Sequence, residues 1–144
     1  MKLVCNAGTD RVLDLIQPQL SKGMQLDLLT PAMSLFAFDV LHAGADRLTA
    51  ARVVLPDEKA DLAPLGASAE RAARNRLQSP RLAKLMAEWL RAKAEVRRAP
   101  SAIPQGLAVV RSQDGVPLQA EHGSFGLTTD GLGLTPGNPL GFIQ

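Results

Sequence analysis

Apolar positions in the first half of this chain alternate between a helical and a strand rhythm. Lys2–Cys5 reads as a short strand, which makes Cys5 a small core residue. Val12, Leu13, Leu15, Ile16 and Leu20 then recur at helical spacing and predict a helix over 10–22. Thr9 is placed to cap it, Asp10 and Lys22 complement its dipole, Pro18 falls inside it and Gly23 ends it. Gln25–Thr30 reads as a buried strand. Pro31 opens a helix to His42, carried by Leu35, Phe36, Val40 and Leu41 and ended by Gly44. Ala51–Leu55 is a β-branched strand closed by Pro56.

The second half starts with a polar loop over Asp57–Gly66. Two helices are predicted next, Ser68–Leu77 and Pro80–Ala94, separated at Ser79-Pro80, where Ser79 caps and Pro80 takes the first helical position. Leu82, Leu85, Met86, Trp89 and Leu90 share one face of the second. Glu95–Arg98 is a short strand. Gly106–Arg111 and Val116–Glu121 form a hairpin around Gln113-Asp114-Gly115, because Asp-Gly is a strong turn signal. A glycine-rich stretch leads to a last apolar strand at Leu140–Ile143. The early alternation of strands and helices predicts an α/β fold, a mixed sheet flanked by helices, in one domain over 1–144.

Composition removes several classes of chemistry. One cysteine excludes an internal disulfide and a cysteine-based zinc site, and His42 and His122 lie too far apart in sequence to suggest a histidine cluster. No metal or cofactor is expected. Asp57, Glu58 and Asp61 read as a solvated loop rather than a magnesium site. Gly131–Gly137 lacks the Gly-Lys-Ser/Thr ending of a phosphate loop and reads as a turn. With no signal peptide and no apolar run of about 20 residues, the expectation is a cytoplasmic protein without membrane contact.

Charge is unevenly placed. The net charge is +2, yet Glu70–Arg98 carries nine basic residues against three acids, making that segment +6 and leaving −4 for the rest. Such asymmetry suits a polyanionic partner such as a DNA or RNA backbone. The candidate contacts are Arg71, Arg74, Arg76, Arg81, Lys84, Arg91, Arg97 and Arg98. Arg97 and Arg98 are neighbours on a predicted strand and so face opposite ways. A solvated helix pair is the competing reading of the same run.

Three segments carry a family resemblance. They are a tryptophan helix followed by Val96-Arg97-Arg98-Ala99-Pro100, the run Gly123-Ser124-Phe125-Gly126-Leu127-Thr128-Thr129-Asp130-Gly131-Leu132, and Asn138-Pro139-Leu140-Gly141-Phe142-Ile143. Leu26–Pro31 adds an upstream match. The order resembles the phospholipase D-like domain found at the N-terminus of bacterial Swi/Snf-type helicases and related defence proteins. The resemblance implies a single phospholipase D-like unit whose catalytic His-x-Lys falls on Gln105-Gly106-Leu107 and whose motif asparagine falls on Gly126. None of those three residues can perform the family's chemistry: glutamine is no phosphohistidine nucleophile, leucine donates no charge, and glycine has no side chain.

The expectation is therefore a non-catalytic accessory domain of a nucleic-acid-processing or defence system. It would bind DNA, a helicase or another partner protein, or pair with a second copy of itself. The alternatives are an active phosphodiesterase or nuclease with a rearranged site using His122, and a purely structural protein-interaction subunit.

Overall fold

The computed structural model describes residues 2–57 and 69–135, with 69–77 described by backbone alone. The expected loop at 58–66, its acids Glu58 and Asp61, and the expected strand at 140–143 lie outside the described residues. The elements are α1 (Val12–Ile16), β1 (Gln25–Leu29), α2 (Leu35–Ala45), β2 (Ala50–Pro56), α3 (Ala69–Lys93), β3 (Ala94–Ala99), β4 (Gly106–Arg111) and β5 (Pro117–Gly123). The strands form one mixed sheet in the order β3-β2-β1-β4-β5, so the chain is α/β. β1, β2 and β3 are parallel; β4 runs antiparallel to β1, and β5 antiparallel to β4.

Every second residue of the central strands enters the core. Leu26 and Leu28 of β1, Ala51 and Val53 of β2, and Ala108 and Val110 of β4 are buried on one sheet face. The same core takes Phe38 and Leu41 of α2, Leu82, Met86 and Trp89 of α3, and Val12 and Ile16 of α1. Trp89 lies against Phe38 at 5.4 Å between ring centroids, and its indole N–H donates to the Ala45 carbonyl at 3.0 Å, so the ring is buried without an orphaned donor. His42, in the last turn of α2, meets Phe38 edge-on.

The opposite sheet face carries no helix among the described residues. There Asp27 of β1 accepts two hydrogen bonds from Arg52 of β2, each at 2.6 Å, and a further one from Arg111 of β4. Around this charged centre lie the half-buried Leu29, Val54, Leu107 and Val109.

Several boundaries depart from the sequence expectation. Residues 2–5 add no strand to the sheet, and Cys5 is exposed while its neighbour Val4 is buried. The first helix is short. Pro18 sits in a 3-10 turn at Gln17–Gln19 that ends it, because proline supplies no N–H to continue the α ladder. Its entry is secured by Asn6, whose Oδ1 accepts from the Val12 N–H, rather than by Thr9. α2 opens at Leu35 rather than Pro31, capped by Ser34, whose Oγ accepts from the Ala37 N–H. Gly44 lies inside α2 rather than ending it: a Cβ there would stand 2.8 Å from the Leu20 Cβ, so glycine allows the close approach. The two helices expected on either side of Ser79-Pro80 are one continuous helix, α3.

Candidate functional site

Residues 105–107 and the run that starts at Gly123 meet at the end of the sheet where the parallel strands finish. β4 starts beside the end of β1, and β5 returns to the same end, so Gly106 pairs with Gly123 and Leu107 with His122. A Cβ built at Gly106 would overlap the Phe125 carbonyl oxygen, so this crossing requires glycine. Past β5 the chain turns back over the end of β1. There the Leu127 N–H donates to Thr30 Oγ1 at 2.8 Å, Thr30 Oγ1 donates to the Ala32 carbonyl at 2.6 Å, and the Ser34 N–H donates to the Leu127 carbonyl at 2.8 Å. Thr30 is fully buried and satisfied by this arrangement.

The end of the described chain is tied to its beginning. Asn6 Nδ2 donates to the carbonyls of Asp130 and Gly131 at 3.2 and 3.0 Å, while its Oδ1 caps α1. Asn6 has φ of 53°, a left-handed conformation that asparagine tolerates better than most residues. Beside it, Asp10 accepts from Lys2 Nζ at 2.5 Å and from the Cys5 N–H at 3.0 Å, and these donors hold its carboxyl below the usual aspartate range.

Between these walls lies a cleft of about 900 Å³, lined by Asn6, Gly8, Pro31, Ser124, Gly126 and Thr128 among others. It lies outside the end of β1, where the chain leaves toward β2 on one side and later returns on the other side as the antiparallel β4. Its polar lining is hydroxyls, the Asn6 amide, the exposed Cys5 thiol and backbone, with Asp130 the one carboxylate among the described residues. Among the described residues none of the lining side chains is cationic.

The three positions that would carry phospholipase D chemistry stand at this end of the sheet. Gln105 is exposed. Leu107 is half-buried on the open sheet face beside His122. Gly126 is buried, and a Cβ there would meet the Ala32 carbonyl at 3.3 Å and the Pro31 ring and Thr30 hydroxyl at 3.5 Å. His122 is exposed on the same face as Leu107, while the neighbouring Glu121 is buried on the helix side and accepts from Gln119 Nε2 at 2.6 Å. Among the described residues no three His, Cys, Asp or Glu side chains converge as metal ligands would.

The basic candidates are distributed over different surfaces. Arg71, Arg74 and Arg76 lie in the first part of α3, whose side chains fall outside the description. Arg81, Lys84 and Arg91 are exposed along one side of α3, away from the buried stripe of Leu82, Met86 and Trp89. Lys84 makes only a loose ion pair with Glu88 at 3.9 Å. Arg97 belongs to the open sheet face and bonds Glu95, with Nε to Oε1 at 2.7 Å. Arg98 turns the other way and donates to the Pro56 carbonyl at 3.1 Å. The fold brings Arg81, Lys84 and Arg91 together and sets Arg97 on the far side of the sheet from them. Arg52 and Arg111, the pair that clamps Asp27, stand outside the set of candidates that the sequence suggests.

No protein-family model matches this chain, and no curated protein matches it. Among the described residues no helix is long and apolar enough to cross a membrane.

Proposed function

We propose that this chain is a non-catalytic phospholipase D-like module that holds a nucleic-acid backbone, as an accessory part of a nucleic-acid-processing or defence complex. The observation that carries the non-catalytic half is the chemistry of the cleft. A site that handles a phosphate ester needs a nucleophile and fixed positive charge at the developing oxyanion. Here the described lining offers hydroxyls, the Asn6 amide, the Cys5 thiol, backbone and one carboxylate but no cation, and the position where the resemblance asks for asparagine is a glycine whose Cβ would stand 3.3 Å from the Ala32 carbonyl.

The binding half rests on α3. Three exposed cations at positions 81, 84 and 91 share one side of a 25-residue helix with the single acid Glu88, a net positive face that can meet a phosphate backbone without reading bases. The one tryptophan is buried, so stacking on unpaired bases is not available to it.

The test is fluorescence anisotropy with duplex and single-stranded DNA from about 50 to 200 mM salt, with a cleavage assay on the same samples. Binding should weaken steeply with salt, without cleavage. The Arg81→Ala/Lys84→Ala/Arg91→Ala variant should lower the log–log salt slope by roughly 0.9 for each phosphate it no longer neutralises, about 2–3 in all. Absence of binding at the lowest salt would remove the nucleic-acid reading in favour of a protein partner. Cleavage abolished by His122→Ala would overturn the non-catalytic one.

A further inference from the structure

The sheet ends on β3, and no described strand lies beyond it. An outer strand presents unpaired N–H and C=O groups and is a template for another strand unless its side chains forbid pairing. β3 reads Ala94-Glu95-Val96-Arg97-Arg98-Ala99, and its four central residues are exposed, Val96 at 43 %. Glu95 and Arg97 point to the open sheet face, as their β2 partners Arg52 and Val54 do, whereas Val96 points to the helix face with Val53.

From this pattern we infer that β3 pairs antiparallel with β3 of a second copy, about a two-fold axis through Val96. Both copies keep the same face uppermost when the axis is perpendicular to the sheet, so residues opposite each other must share parity. Centring on Val96 sets Glu95 of each copy opposite Arg97 of the other, Val96 against Val96, and Ala94 opposite Arg98. No like charges stand directly opposite. Within one copy Arg97 Nη2 already lies 2.5 Å from Glu95 Oε1. Pairing would close four charges into a ring of alternating sign, the arrangement that stabilises facing strands, and would cover the two exposed valines.

The other outer strand does not offer this. β5 starts at Pro117, which has no N–H to donate, and a register shift interrupts its ladder with β4 at Val110/Arg111. Centred on Ala120 it would set Gln119 opposite Glu121 and Leu118 opposite His122, with no complementary charges.

The pairing is isologous and gives a continuous ten-stranded sheet, five strands from each copy, with both helical layers on one side. One six-residue strand buries less than a permanent interface, so a weak, concentration-dependent self-association is expected. Sedimentation equilibrium of the full chain over roughly 1–200 μM, at low salt, tests it. Glu95→Arg and Arg97→Glu should each weaken dimerisation at least about tenfold, because each sets like charges opposite twice. The Glu95→Arg/Arg97→Glu double variant restores the opposite signs and should return to within about threefold of the parent. A surface residue swap leaves the core intact, and circular dichroism identifies any variant that fails to fold. In that case Val96→Lys, which sets two lysines face to face at the axis, is the substitute and should also weaken the dimer. A parent chain that stays monomeric throughout, or a double variant no better than the single ones, overturns the inference.

Discussion

Single residues here are constrained mostly by what the chain does far away in sequence. Gly106 is dictated by Phe125, which packs over it just past the end of β5. Gly106→Ala should cost about 2–3 kcal/mol in a urea melt, because the obstructing atom is backbone and cannot swing aside. Asp27 shows the same dependence in its charge. Partial burial disfavours its carboxylate, yet the hydrogen bonds and charges of Arg52 and Arg111 overcome this and hold its pKa below the usual aspartate value. A depressed folded-state pKa contributes stability that is complete above the unfolded value of about 3.9 and is lost as pH falls through the lower folded one. Asp27→Asn should therefore lower stability at neutral pH and flatten the decline of stability below about pH 4, both read from denaturation midpoints across pH. In the sequence Asp27 is only a polar residue in an apolar strand; its partners lie 25 and 84 positions away, and the sheet order alone selects them. The role of Asn6 is hidden in the same way. Its one local signal is the Asn-Ala-Gly-Thr run, whose composition favours a turn with positive φ.

Elements are legible where their cues are local. The hairpin at Asp114-Gly115, the strands β1 and β2, and the apolar face of α3 all follow from neighbouring residues. Helix ends are less so, because tertiary geometry chooses where a helix starts: Asn6 displaces Thr9 as the cap of α1, and α2 starts after Ser34 rather than at Pro31. Pro80 is the sharpest case. Local rules make Ser79-Pro80 a helix start, yet α3 runs through it, its later turns anchored by Leu82, Met86 and Trp89. Proline inside a helix removes one backbone hydrogen bond and crowds the preceding turn. Pro80→Ala should therefore stabilise the protein by about 1–3 kcal/mol, measured as a raised Tm. A lowered Tm would mean that Pro80 opens a helix, as the local cues suggest.

For the whole molecule, the alternation of strands and helices makes the α/β class readable, but not the strand order. The order β3-β2-β1-β4-β5 depends on β4 crossing to the free side of β1. That crossing builds the cleft and aligns Gln105, Leu107 and Gly126 at one end, while the pleat of β3, which turns Arg97 to the open face, separates it from Arg81. Charge counted along the sequence merges surfaces that the sheet holds apart. The two-fold pairing would leave both copies' α3 stripes on one side, so a dimer would meet a long duplex with twice the cationic surface of one chain.

The tie made by Asn6 has a consequence for how this architecture assembles. Its amide joins positions separated by 124 and 125 residues, nearly the longest loop the described chain can close. Contacts of that span incur the loop-closure cost before they return any stabilisation. The cleft wall is therefore expected to close late in folding, after the sheet has formed, and native-state hydrogen exchange should find the Leu127 and Leu132 amides exchanging before those of β1 and β2.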